Sequence, residues 1–269
     1  MLWEPLLFAL LIYFILGICT GFLSGLLGVG GGLIMVPGLV LVFPWEHINP
    51  AIMMHVAVGT SLTSMIIVTY RSLRSHMKYH EPFFPIYKKL LPAILVGIIV
   101  GGLITRHLDS RVLEIIFGIF TLCMAFLLFF QDNEKASQRK LPGFLGMMAA
   151  GGFIGLQSGL LGIGGGSFTV PFLTHRGVNI RLALVVSVSI AMTVAVIGSI
   201  AYMIAGFDAS GLPQWSTGFV YWPAFLGLAL GGILLAPYGA KVSRHISQEK
   251  VKILFVIFLL IVSAHMLWI

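Results

Sequence analysis

The chain has 269 residues; 58% are apolar, only 9% are charged, and its mean hydropathy is +1.03. A soluble domain carries roughly a quarter charged residues, so this composition excludes one and predicts an all-α polytopic membrane protein. The formal charge of +7 does not mark a nucleic-acid partner, because the basic residues lie in short loops between apolar segments.

Ten apolar segments follow in chain order. Segment A (6–29) belongs to a run from Pro5 to Trp45 without a charged residue. Met1-Leu2-Trp3-Glu4 lacks the basic start of a cleavable signal peptide, so A is expected to stay in the mature protein. A closes on GLLGVGGG, Gly25 to Gly32. Segment A2 (33–43) has 11 residues, about 16 Å of helix, half of the ~30 Å hydrocarbon core. Segments B (50–70), C (86–105) and D (112–130) are each long enough to span. A second series follows: A′ (142–163), A2′ (167–174), B′ (180–206), C′ (218–240) and D′ (251–268). Cys19 and Cys123 lie in apolar segments and imply no disulfide framework.

The second series repeats the first. A shift of 134 aligns Gly17–Leu39 with Gly151–Leu173, with 13 of 23 positions identical. GLLGVGGG returns as GLLGIGGG, Gly159 to Gly166, and Val36-Pro37 returns as Val170-Pro171. Further on, Leu91-Pro92-Ala93 echoes Trp222-Pro223-Ala224, and Gly101-Gly102 echoes Gly231-Gly232. Two homologous halves are predicted, 1–133 and 134–269.

Charge sets the orientation. The B–C, D–A′, A2′–B′ and C′–D′ loops hold 14 of the 16 Lys and Arg residues, and the loops with Glu46 and Asp208 hold none. By the positive-inside rule those four loops are cytoplasmic. B then runs inward and B′ outward; C and C′ are opposed, as are D and D′. Each half is predicted to pair a glycine-broken helix/half-helix hairpin with three spanning helices. The halves have inverted topology, a pattern common among secondary transporters, and both termini are expected outside the cytoplasm.

The glycines give a reason for the short segments. A2 and A2′ read as half-helices starting after GGG. A helix N-terminus offers free N–H groups and a positive dipole end. Two such tips entering from opposite faces predict an anion site made of backbone. Its expected residues are Gly28, Gly30, Gly31 and Gly32 in one half, and Gly162, Gly164, Gly165, Gly166 and Ser167 in the other. The competing explanation is close helix packing, which suits Gly21, Gly25, Gly155 and Gly159 at small-xxx-small spacing.

Polar residues inside the apolar segments add candidates. His55, Thr60 and Ser61 fall in B, and Ser187 and Ser189 in B′. Hydroxyls suit an oxyanion as donors; the plainer reading is back-bonding to the i−4 carbonyl. His55 is a donor or proton carrier, or else a histidine at the outer interface. Gln157 replaces Leu23 of the first half, so the site need not be symmetric. Ser24 and Ser158 serve as caps or packing. No Asp or Glu lies deep in a segment, which leaves His55 as the proton candidate. No GK[ST] follows the glycines, and no HExxH or carboxylate pair appears, so no enzyme, cofactor or metal is expected.

The doubled GxxSGLLGxGGGxxxVPxL, with AxGTSL at Ala57–Leu62 and a glycine-rich C segment, resembles the TauE/SafE family of membrane permeases over essentially the whole chain. The resemblance implies a multi-pass protein of the cytoplasmic membrane that exports sulfite or organosulfur anions such as sulfonates. The inverted halves point to a secondary transporter working by alternating access, and with no ATP-binding motif in the sequence the expected energy source is a proton or cation gradient or the substrate's own; a passive anion channel is the alternative. The second half carries Ser187-Val188-Ser189 where the first has Gly59-Thr60-Ser61, so a two-fold polar site is not implied.

Overall fold

The computed structural model describes residues 3–27, 30–76, 82–130, 140–242 and 248–268. Gly28 and the expected boundary at 133/134 lie outside the described residues. All ten predicted segments are helices. In order they are α1 (Trp3–Leu27), α2 (Gly32–Val42), α3 (Met53–His76), α4 (Phe84–Thr105), α5 (Ser110–Phe129), α6 (Phe144–Leu161), α7 (Gly166–His175), α8 (Ile180–Ala205), α9 (Trp222–Val242) and α10 (Gln248–Trp268). Among the described residues seven of them, α1, α3, α4, α5, α6, α8 and α9, are long and apolar enough to cross a membrane. α2 and α7 have 11 and 10 residues, too few to cross.

Two boundaries differ from the sequence reading for physical reasons. α3 runs on to His76, past Arg71 and Arg74, because arginine is a good helix former and its charge projects into water. α9 starts at Trp222, because Ser216–Thr217 (β1) and Val220–Tyr221 (β2) pair as a short antiparallel hairpin around Gly218, whose φ is +56°.

Each half-helix folds back along the helix before it. Gly31 lies beside Ser24 and Thr20, and Gly38 beside Leu16. In the second half Gly165 lies beside Ser158 and Ile154, and the Phe153 and Phe168 rings sit 4.9 Å apart. α2 passes into a 3-10 turn, Phe43–Glu46, closed by His47 in the left-handed region.

Glycine faces set the closest helix contacts. A Cβ on Gly21 would lie 2.4 Å from the Gly232 carbonyl oxygen, and one on Gly25 2.1 Å from that of Ala236. α1 and α9 therefore touch backbone to backbone and run the same way. α4 and α6 do likewise: a Cβ on Gly155 would meet the Ile94 carbonyl at 2.3 Å, and one on Gly159 that of Ile98 at 2.6 Å. These four glycines serve packing. α3 and α8 run antiparallel, joined by Thr63 and Ser199 at 2.8 Å and by the Thr69 hydroxyl on Met192 Sδ at 3.4 Å. α5 and α10 are antiparallel too, with Arg111 on the Leu267 carbonyl and Ser263 on that of Gly118. α3 is the most buried of the seven spans, followed by α8. Large apolar side chains on the outer helices, such as Val96, Leu103, Ile119, Leu230 and Ile261, are exposed, as suits lipid contact.

Candidate functional site

The two glycine breaks meet at the centre of the bundle. A Cβ on Gly32 would lie 2.0 Å from the Gly162 carbonyl oxygen, and one on Gly30 3.3 Å from Gly164 Cα. Gly31 precedes α2 with φ +88° and ψ −17°; Gly165 precedes α7 with φ +69° and ψ −14°. These are equivalent positions of the repeat. The left-handed backbone turns the chain abruptly into each half-helix, at a cost of roughly 1–2 kcal/mol to a residue with a Cβ.

Neither N-terminus is capped by a side chain. The first N–H groups of each helix have no carbonyl four residues back to bond, and residues 30–33 and 161–167 are all buried. Each helix end carries about +0.5 of an elementary charge. Three side chains around the tips are more than nine-tenths buried and have no protein partner: the Ser24 hydroxyl, the Ser167 hydroxyl and both amide atoms of Gln157. Among the described residues no Lys or Arg is buried. Positive potential here comes from backbone, and hydrogen-bond donors from backbone, hydroxyl and amide. That combination suits a small anion.

The other predicted residues divide. Ser61 reaches the second tip: its hydroxyl lies 3.0 Å from the Val58 carbonyl oxygen and 3.2 Å from that of Gly162. Thr60 is fully buried and accepts the Tyr221 N–H at 3.0 Å. Ser189 donates back to the Val185 carbonyl at 2.8 Å, so its proton is engaged within α8; Ser187 is buried beside it. Gly164 and Gly166 are buried at the second tip. His55 is buried within the protein, about 9 Å along α3 from Ser61. Its Nε2 is 3.0 Å from the Thr105 carbonyl oxygen, and its ring lies 5.0 Å from that of Phe219.

Sequence reasoning gave Ser24 only a capping or packing role and passed over Tyr13, Tyr202, Tyr221 and Glu46. Ser24 differs from its repeat mate: Ser158 donates to the Ile154 carbonyl, whereas Ser24 has no partner. Tyr202, fully buried in α8, donates to the Gly159 carbonyl at 2.9 Å and holds the end of α6. Tyr13 and Tyr221 both donate to Glu46. A tyrosine within an apolar segment was the available signal, since a buried phenol needs an acceptor.

Spanning helices around two apposed, glycine-started half-helices define a multi-pass membrane transporter. Residues 13–266 match the family model described as sulfite exporter TauE/SafE, and the chain belongs to that family, whose members are membrane transporters and not enzymes. It is 30% identical over 259 residues to a "probable membrane transporter protein" of Haemophilus influenzae, covering 96% of this chain and 97% of that one. It is 30% identical over 250 residues to another from Methanocaldococcus jannaschii, covering 89% and 88%. A third, from Escherichia coli K12, is 29% identical over 249 residues, covering 90% and 85%. No solved structure matches.

Proposed function

We propose that this protein is a secondary transporter that carries a small sulfur oxyanion, sulfite or an organosulfonate, across the cytoplasmic membrane by alternating access, in the export direction. The observation that carries the reading is the meeting of two uncapped, buried helix N-termini at Gly31 and Gly165, beside the unpartnered Ser24, Gln157 and Ser167. An anion there is held without a buried cation. Its desolvation is offset by N–H, O–H and amide donors, each charge-assisted bond contributing about 1.5–3 kcal/mol. The sulfur chemistry of the substrate is supported by family membership alone.

The halves, 1–133 and 134–269, act as inverted repeats in this reading. The helix directions support it. α1 runs parallel to α9 as α6 does to α4, while α3–α8 and α5–α10 are each antiparallel, so exchanging the halves maps every relation onto itself. Both termini then lie outside the cytoplasm. Cysteine labelling is expected to find 134–140 cytoplasmic, 269 outside, and positions 46 and 76 on opposite faces. The same face for 46 and 76 would overturn the inversion.

The test of transport is counterflow in proteoliposomes, with sulfite, sulfoacetate, taurine, sulfate and acetate as trans anions. Saturable exchange limited to sulfur oxyanions is expected. Flux without counterflow makes the protein a channel, and exchange of acetate as fast as sulfite removes the sulfur specificity.

A further inference from the structure

One carboxylate stands apart from the glycine site. Glu46 ends the turn after α2, half-buried, and both of its oxygens accept phenolic hydrogens. Tyr13 of α1, fully buried, donates to Oε2; Tyr221 of β2, also buried, donates to Oε1 at 3.4 Å. Among the described residues Glu46 makes no ion pair; the ion pair found there joins Arg111 and Glu114. Among the described residues the titratable groups facing Glu46 are the two phenols. His47 follows it and is exposed; α2 and the first turns of α9 carry none; His55 of α3 is held by Thr105. A carboxylate taken from water without a cation binds its proton more tightly.

Glu46 is also wired to the tips. Tyr221 bonds Glu46 through its hydroxyl and Thr60 through its N–H, and the adjacent Ser61 bonds the Gly162 carbonyl. The chain joins α1, α2, α3 and the start of α9 to the second tip.

We propose that Glu46 is the site of a coupling proton. Resting on the transport reading above, this names the ion and where it binds. The proton from the aqueous side adds to Oε1, the oxygen with the longer and weaker contact, turning the carboxylate into a neutral carboxyl. It leaves to water by the reverse step. The change weakens the pull on the Tyr221 hydroxyl and, through Thr60 and Ser61, biases the seating of the second tip. A metal cation fits poorly, since it requires a cage of oxygen lone pairs and both phenols present hydrogens here. Burial and the Glu46 carboxylate both push the Tyr221 phenol above its ordinary value, which keeps it a donor.

Two measurements on the full chain in lipid test this, with wild type, Glu46→Gln, Tyr13→Phe and Tyr221→Phe. The first is pH-difference infrared spectroscopy without substrate. A protonated-carboxyl stretch that titrates in wild type, vanishes in Glu46→Gln and shifts in the phenylalanine variants is expected. Spectra identical in wild type and Glu46→Gln overturn the proposal, whether or not any anion is carried. The second compares sulfoacetate counterflow with accumulation driven by an imposed pH gradient. Glu46→Gln is expected to keep counterflow within about twofold and to lose at least tenfold of the gradient-driven accumulation. Equal loss of both in a folded protein makes Glu46 a structural clasp, and equal retention removes it from coupling. Absence of all anion transport by wild type overturns the transport reading instead, and the infrared result then decides the proton site alone.

Discussion

The two tips share a backbone and differ in side chains. Gly31 and Gly165 hold the same left-handed conformation and start half-helices of nearly equal length, each with a proline at its sixth residue. Yet the second tip carries Gln157 and Ser167 where the first carries Leu23 and Leu33. The serines that do match behave differently, Ser158 back-bonded and Ser24 without a partner. The repeat thus fixes geometry and dipole twice, while polar donors gather mainly on one side. On the transport reading proposed above, symmetric backbone would hold the anion and asymmetric side chains would tell one anion from another.

The largest expected effect comes from forcing the tips apart. Gly32→Ala would place a Cβ 2.0 Å from the Gly162 carbonyl oxygen, backbone that cannot swing away. Sulfite counterflow is expected to fall more than tenfold while the protein still reaches the membrane; near-normal exchange would deny that the tips meet. Next come Gly165→Ala and Gly31→Ala. Both place a Cβ at positive φ, costing about 1–2 kcal/mol. At Gly165 that Cβ also lies 2.8 Å from Ile154, whereas at Gly31 the nearest atoms are at 3.6 Å. Gly165→Ala should therefore lower the melting temperature more than Gly31→Ala; the reverse order would break the described geometry.

Side-chain changes sharpen the asymmetry. Gln157→Leu makes the second tip resemble the first and removes an amide donor. A rise in KM of roughly 10-fold is expected, in line with about 1.5 kcal/mol for one bond to a charged ligand. An unchanged KM would take Gln157 out of the site. Smallest is the serine pair: Ser24→Ala should raise KM several-fold and Ser158→Ala hardly at all, since its hydroxyl is already engaged. Equal effects would mean the two hydroxyls face the anion alike.

Much of this was legible in the sequence. Apolar length and the glycine clusters located all ten helices, because a span must bury every backbone group and only a glycine-marked break relieves that. The packing role of Gly21 and Gly155 was legible from small-xxx-small spacing. The partners of hydroxyls were not. Thr60, Ser61 and Ser189 look alike in a string of residues, yet the first accepts from Tyr221, the second reaches the opposite tip and the third bonds its own helix. Which of these occurs depends on what packs across the helix, and periodicity is silent on that.

Glu46 shows the same limit more sharply. In the sequence it is the acid of a short loop after an apolar run, and such residues are usually solvated. Only the return of α2 along α1, with the hairpin before α9 closing over them, sets Tyr13 and Tyr221 against it. The sequence by itself determined the membrane class, the repeat and the sites of the breaks, because hydropathy and glycine act locally. The tertiary structure alone decided that the breaks meet, which donors remain unspent and what surrounds the half-buried Glu46 carboxylate, because each of those is a contact between residues far apart in the chain.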